Sequence, residues 1–248
     1  MRLFQAIRAI IGLILLPLLP LLTSFIAIIY GGILRAPAAK LQWIPRVMCG
    51  RILCWVNGIT VEVRGLEKID LTRSYIFAAN HQSQFDIFTL QAYSGFDFRW
   101  MAKKELFRIP IFGWGMKLAG YIPVDRSGGK KAVKSLDEAA KRIAGGTSVI
   151  IFPEGTRSRD GQVHPFKAGA MVLAIKSKVP LVPLAIDGTY EVLPKGKMFA
   201  KPGKVVISIG DPIETAGYST KQKNELAELL HDAVVALKRE AEPESIPS

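Results

Sequence analysis

The longest feature of the hydrophobic pattern comes first. Ala9 to Leu34 are 26 consecutive positions without a charge. As a helix they extend ~39 Å, enough to cross a hydrocarbon core of ~30 Å. Pro17 and Pro20 are expected to kink that helix, and Gly31-Gly32 to weaken its end. A second segment, Leu41 to Trp55, sets Ile44, Val47, Met48, Ile52 and Trp55 at helical spacing, with Arg46 and Arg51 off that face and Gly58 as a stop. This pattern predicts a two-helix membrane motif over residues 1–57. It leaves open whether the motif spans the bilayer or enters one leaflet. The apolar run is much longer than the core of a cleaved signal peptide. Arg35, Lys40, Arg46 and Arg51 follow it closely, which keeps the remainder on the cytoplasmic side by the positive-inside rule.

From Gly58 the pattern changes to short apolar runs alternating with amphipathic ones. Strands are expected at Ile59–Arg64, Tyr75–Ala79, Phe98–Ala102, Tyr121–Val124, Ser148–Phe152, Leu181–Ile186 and Val205–Ile209. Helices are expected at Asp86–Tyr93, Ile111–Ala119, Lys131–Ala144, Lys167–Ser177 and Lys221–Ala241. The last presents Leu226, Leu229, Leu230, Ala233, Val234 and Leu237 along one face. The sum is a single α/β domain over residues 58–248, with a roughly seven-stranded, largely buried sheet flanked by helices. The tail after Pro243 is expected to fray.

Composition narrows the partners. Hydrophobic residues make up 49% of the chain and the formal net charge is +12. That combination favours an anionic membrane surface, and no basic helix or aromatic platform suggests nucleic acid. Cys49 and Cys54 lie inside the second apolar segment and form neither a disulfide framework nor a C-x-x-C pair. They read as buried thiols of a reducing compartment. The three histidines lack the spaced partners of a metal site. His164 and His231 read as structural or exposed, and no cofactor is expected.

Chemistry gathers where strands end. Tyr75–Ala79 runs into Asn80-His81-Gln82-Ser83-Gln84-Phe85-Asp86. An offset of five puts His81 and Asp86 well over 90° apart on a continuous helix, so they meet only if His81 is in the turn and Asp86 in the first helical turn. A carboxylate there holds one imidazole nitrogen and leaves the other free to accept a proton. Ser83-x-x-Asp86 also fits a capping box, in which Asp86 serves only the helix end. Ser83 makes a poor nucleophile, two residues from His81 on a turn. Ser148–Phe152 leads into Pro153-Glu154-Gly155-Thr156-Arg157-Ser158, where a glycine admits close approach and Arg157 offers a fork for phosphate. Lys103 and Lys104 follow the third strand, and Asp125-Arg126 closes the fourth. If the strands run parallel, these segments share one edge of the sheet.

Taken in order, Asn80-His81-x-x-x-x-Asp86, Gly120 to Arg126, Phe152 to Ser158 and Val179 to Leu184 resemble the four blocks of the glycerophospholipid acyltransferases. The likeness is nearest to the bacterial 1-acylglycerol-3-phosphate acyltransferases, also called lysophosphatidic acid acyltransferases. It implies transfer of a fatty acyl group from a thioester, on acyl carrier protein or coenzyme A, to the sn-2 hydroxyl of lysophosphatidic acid. By that likeness His81 is the general base and Asp86 its orienting partner. Glu154, Gly155, Thr156 and Arg157 belong to the block that binds glycerol phosphate, with Arg126 a further contact. Lys103 or Lys104 faces phosphate or the oxyanion. The implied location is the cytoplasmic face of the cell's inner membrane. No G-x-S-x-G elbow is present, so no acyl-enzyme is expected. An acyltransferase acting on another lysolipid or on an amino-acid lipid, a lipid or thioester hydrolase, and a non-catalytic membrane scaffold are the competing readings.

Overall fold

The computed structural model describes residues 2–125 and 127–241. The expected frayed tail and Arg126 lie outside the described residues. Helix α1 (Arg2–Ala27) passes through Pro17 and Pro20 unbroken and continues as a π-helical turn, Ile28–Ile33. Proline removes two backbone donors here without interrupting the helix, and in the next turn the Ser24 hydroxyl donates to the Pro20 carbonyl at 2.8 Å. The second segment is not one regular helix. It consists of α2 (Ala38–Leu41), α3 (Trp43–Pro45), a π-helical stretch Arg46–Ile52, and α4 (Leu53–Asn57).

The two segments form an antiparallel pair in contact from end to end. Arg8 donates to the Val56 carbonyl at 2.9 Å, Thr23 meets Cys49 at 3.3 Å, and Gly31 lies against Leu41. The second segment is held between α1 and α5 (Phe85–Tyr93). Gly50 permits that approach, since a Cβ there would come within 2.7 Å of Ala92. The residues expected along its apolar face divide: Ile44 is buried, whereas Val47 and Trp55 face outward.

All seven strands form, within a residue or two of the expected bounds: β1 (Ile59–Arg64), β2 (Ile76–Ala79), β3 (Arg99–Lys103), β4 (Ile122–Val124), β5 (Val149–Ile151), β6 (Leu181–Asp187) and β7 (Gly203–Ile209). Their spatial order is β1-β7-β6-β2-β5-β3-β4. The five strands β2 to β6 run parallel, while β7 pairs antiparallel with β6 and carries β1 with it. The connection from β6 to β7 holds only the short α9 (Thr189–Val192) and a loop, too little for a crossover back to a parallel start.

Helices cover both faces. Phe77, Ala79, Ile150, Val182, Leu184 and Ile186 point to the side of α1, α4 and α5. Ile76, Ala78, Val149, Ile151, Leu181 and Ala185 point to the side of α7 (Gly129–Ala144), α8 (Ala168–Ser177) and α10 (Lys223–Ala241). The alternation by twos is the pleat of a sheet buried on both sides. On α10, Leu226, Leu230 and Val234 are buried, but Leu229 is exposed. Helix α6 (Phe112–Leu118) packs against α1 beyond the β3 end.

The crossovers position the site. From β2 the chain passes over β5 to reach β3, and from β5 it passes over β2 to reach β6. These crossovers take opposite faces, so the loops after β2 and β5 emerge side by side at one edge. That is the crevice where open α/β sheets place their working groups.

Candidate functional site

The loop after β2 opens with Asn80, which is fully buried. Its side chain donates to the Ile186 carbonyl at 2.8 Å and accepts from the Ile186 amide at 2.7 Å. Asn80 thus adds one more rung between β2 and β6, and the chain turns after it.

His81 comes next, and the turn holds it on four sides. Its Nδ1 lies 2.7 Å from Asp86 Oδ2. Its ring stacks on Phe152 with centroids 4.0 Å apart. Its backbone amide donates to Glu154 Oε1 at 2.7 Å, and its carbonyl accepts from the Ser158 amide at 2.7 Å. Nε2 has no protein partner among the described residues, and the side chain is 15% exposed.

Asp86 is fully buried and fully used. Besides Nδ1, Oδ2 accepts the amides of Gln82 at 2.7 Å and Ser83 at 2.8 Å. Oδ1 accepts the hydroxyl of Thr189, itself fully buried at the start of α9. The capping-box reading therefore holds in one direction only. Asp86 takes the Ser83 amide, but the Ser83 hydroxyl bonds the Phe85 amide at 3.2 Å and the Leu193 carbonyl at 2.8 Å. One carboxylate closes the turn and orients the imidazole together. Ser83 is fully buried, so it offers no nucleophile.

The loop after β5 lies alongside. Glu154 is buried, and its two oxygens accept the amides of His81 and, at 3.3 Å, of His164. Burial pushes its carboxyl above the ordinary range, against the lowering effect of those amides. Gly155 has φ +76°, and a Cβ on it would stand 2.7 Å from the Lys167 ammonium. The positive φ is what favours glycine there, since the tip of the flexible Lys167 side chain could give way to a side chain. Thr156 is exposed and Arg157 half-buried. Lys195 reaches the loop from the connection after α9, donating to the Thr156 hydroxyl and to the Arg157 carbonyl, each at 2.9 Å.

The third and fourth strands contribute less directly. Lys103 is largely exposed, 3.9 Å from Glu105. Lys104 is bound to the Asp125 carboxylate. That contact, with hydrogen bonds from Ser127, holds the Asp125 carboxyl far below the usual range. Of the two lysines, Lys104 is therefore already committed to a protein anion. His164 bonds Asp160 at 3.0 Å and is half-exposed. No cluster of three His, Cys, Asp or Glu side chains fit for a metal occurs among the described residues.

Sequence reasoning pointed to His81, Asp86 and the loop from Glu154 to Arg157, and the fold brings these together. Thr189 and Lys195 carry no role in the sequence pattern, and Phe152 and Lys167 carry none beyond their place in a block or a helix. By pattern Phe152 ends a strand and opens the third block, and Lys167 starts a helix, which gives no sign that the Phe152 ring stacks on His81 or that Lys167 lies over Gly155. The signal for Thr189 is that it follows a parallel strand, β6, whose end shares the His81 edge.

The acyltransferase family model matches residues 60–187, over half of the chain. A 1-acyl-sn-glycerol-3-phosphate acyltransferase of Limnanthes douglasii is 34% identical over 187 residues, covering 75% of this chain and 66% of the relative. One of Saccharomyces cerevisiae is 33% identical over 198 residues, covering 78% and 65% respectively. The chain thus spans just under two thirds of the length of these relatives. The crystal structure of the 1-acyl-sn-glycerophosphate (LPA) acyltransferase PlsC from Thermotoga maritima superposes with a TM-score of 0.71 at 30% identity, covering 96% of this chain and all of that one. The matched region carries both loops of the site just described, and the protein belongs to the acyltransferase family.

Proposed function

We propose that the protein transfers a fatty acyl group from an acyl thioester to the sn-2 hydroxyl of 1-acyl-sn-glycerol 3-phosphate, giving phosphatidic acid. One observation carries this reading: His81 is locked by Asp86 through Nδ1 while Nε2 has no partner among the described residues, beside a loop that carries Arg157 and receives Lys195. In the proposed reaction Nε2 takes the proton of the acceptor hydroxyl as its oxygen attacks the thioester carbon. The buried Asp86 stabilises the imidazolium that forms. As the C–S bond breaks, His81 returns the proton to the leaving thiolate. A thioester is already activated, so general-base help worth ~10²–10⁴-fold needs no acyl-enzyme and no cofactor. Arg157 and its neighbours would hold the phosphate of the acceptor.

The acceptor resides in lipid, which gives the apolar hairpin a role. Gln5–Ile33 is long and apolar enough to cross a membrane, and α1 exposes Ile7, Ile10, Ile14, Leu18 and Phe25. In this reading the hairpin keeps the site at the cytoplasmic surface of the inner membrane, and the net charge of +12 attracts anionic lipid. The same charge suits either donor, an acidic carrier protein or coenzyme A.

The deciding assay uses purified protein in detergent and in vesicles, with both donors and several lysolipids, and the His81→Ala variant in parallel. Phosphatidic acid from the native protein and none from the folded variant is expected. Free fatty acid without acylated lipid would identify a hydrolase and reject the proposal.

A further inference from the structure

The imidazole of His81 lies nearly flat against the ring of Phe152, with centroids 4.0 Å apart and planes inclined by 13°. A second ring follows, for Trp100 stacks on Phe152 at 6.0 Å and 22°. The strand order accounts for the row. β5 lies between β2 and β3, so Phe152 at its end is flanked by His81 on the β2 side and by Trp100 of β3 on the other. Both aromatic residues pack on the sheet face that α5 covers. Trp100 is fixed in turn: its Nε1 donates to Gln91 Oε1 at 2.7 Å, and Gln91 is buried on α5. The same helix carries Asp86. One element therefore holds the base twice, in the ring plane through Nδ1 and across the ring face through the aromatic row.

The two constraints act differently. The hydrogen bond to Nδ1 fixes one edge of the imidazole but tolerates a tilt about that edge. A flat neighbour removes the tilt and leaves Nε2 pointing one way. The face of a benzene ring is also the negative side of its quadrupole, and a cation within ~6 Å of the centroid is attracted to it, more strongly where water is kept out. Neutral imidazole stacks there chiefly by dispersion, whereas imidazolium adds the charge attraction. A contact that strengthens as the proton moves favours the transition state over the bound substrate. We infer that Phe152, backed by Trp100, is a positioning residue for His81: it sets the plane of the imidazole and stabilises the positive charge the ring acquires on taking the acceptor's proton. This rests on the reaction proposed above.

The test uses the full-length protein in detergent, with the ring at position 152 altered in steps. Phe152→Leu keeps an apolar side chain and removes the face. It is expected to lower kcat about 3- to 30-fold, with the KM for acceptor and for thioester each within about twofold of native. Phe152→Tyr should keep most of the native kcat. Fluorinated phenylalanines at position 152 withdraw charge from the ring face with little change of shape, so kcat should fall stepwise as fluorines are added. Native kcat in the leucine variant overturns the inference, and so does a loss carried by KM alone. A kcat indifferent to fluorination overturns it as well, since packing alone then explains the leucine variant.

A second readout needs no turnover. The chain has three histidines, so protein labelled with carbon-13 at the histidine Cε1 gives a simple NMR spectrum, in which His81→Ala identifies the His81 signal. The ring current of Phe152 shields a proton on a ring stacked against it. The His81 signal should therefore move downfield in Phe152→Leu, and an unmoved signal overturns the stack and the inference with it. A native protein that makes no phosphatidic acid yet shows this displacement rejects the proposed reaction while leaving the positioning of His81 standing.

Discussion

Thr189 donates its hydroxyl to the one Asp86 oxygen that His81 does not touch. The carboxylate is thereby held at both ends, by the loop after β2 on Oδ2 and by the first residue of α9 on Oδ1. Because both residues are fully buried, no water replaces the hydroxyl if it is lost.

Thr189→Val keeps the shape and removes the donor. An unmade hydrogen bond to a buried charge costs ~1–3 kcal/mol and frees Asp86 to rotate away from Nδ1. Turnover should fall about tenfold or more with the acceptor KM unchanged, and Thr189→Ser should restore it. Steady-state kinetics of the two variants decide the matter. A Val variant that loses thermal stability yet keeps native turnover would make Thr189 a packing residue only.

Asn80 sits one position before the candidate base, yet its side chain is spent on the sheet. Asn80→Ala leaves both backbone groups of Ile186 unpaired in the interior. The expected cost is ~2–4 kcal/mol, which for a chain of this size lowers Tm by about 4–12 °C. Calorimetry with kinetics on the surviving folded fraction checks this. Unchanged Tm with lost turnover would place Asn80 in the chemistry instead.

The fold was legible from the sequence to the extent that its cues are local. Each strand is a short apolar run ended by turn residues, and all seven were found within a residue or two. Direction is not a local property. Nothing within Val205 to Ile209 tells that β7 runs against β6; only the brevity of the connection through α9 does. The second apolar segment has the spacing of one helix, but it contains a π-helical stretch held between α1 and α5, which a single periodicity does not reveal. At the site, the spacing of His81 and Asp86 was enough to require a turn between them. Thr189 and Lys195 lie more than 100 and 110 positions further along the chain than Asp86 and His81, and reach the site only through the strand order.

Glu154 gives the protein a pH signature. Its native carboxyl titrates above its ordinary value near 4.5, chiefly because it is buried. The folded state therefore holds this proton more tightly than the unfolded chain. The associated stabilisation is fully present below the ordinary value and is lost as pH rises through the elevated one. Gln at 154 does not titrate. Relative to Glu154→Gln, the native protein should lose stability between pH 4 and neutrality, seen as converging or crossing Tm profiles. Parallel profiles across that range would show that Glu154 has no elevated pKa.

The outward face of the hairpin offers the last test. Ile14 and Leu18 are 54% and 51% exposed on α1, and of the four tryptophans Trp43, Trp55 and Trp114 are exposed as well. Apolar side chains turned outward over this length are stable in lipid, and the indole rings suit the headgroup level. Replacing Ile14 and Leu18 together by Glu removes nothing from the core, so stability in detergent should stay within about 0.5 kcal/mol. Burying two carboxylates in hydrocarbon is costly, by ~2–4 kcal/mol each, so binding to anionic vesicles should fall at least about tenfold. Sedimentation with vesicles measures the partition directly. If the double variant sediments as the native protein does, this face does not enter the bilayer, and the acceptor must reach His81 by another route.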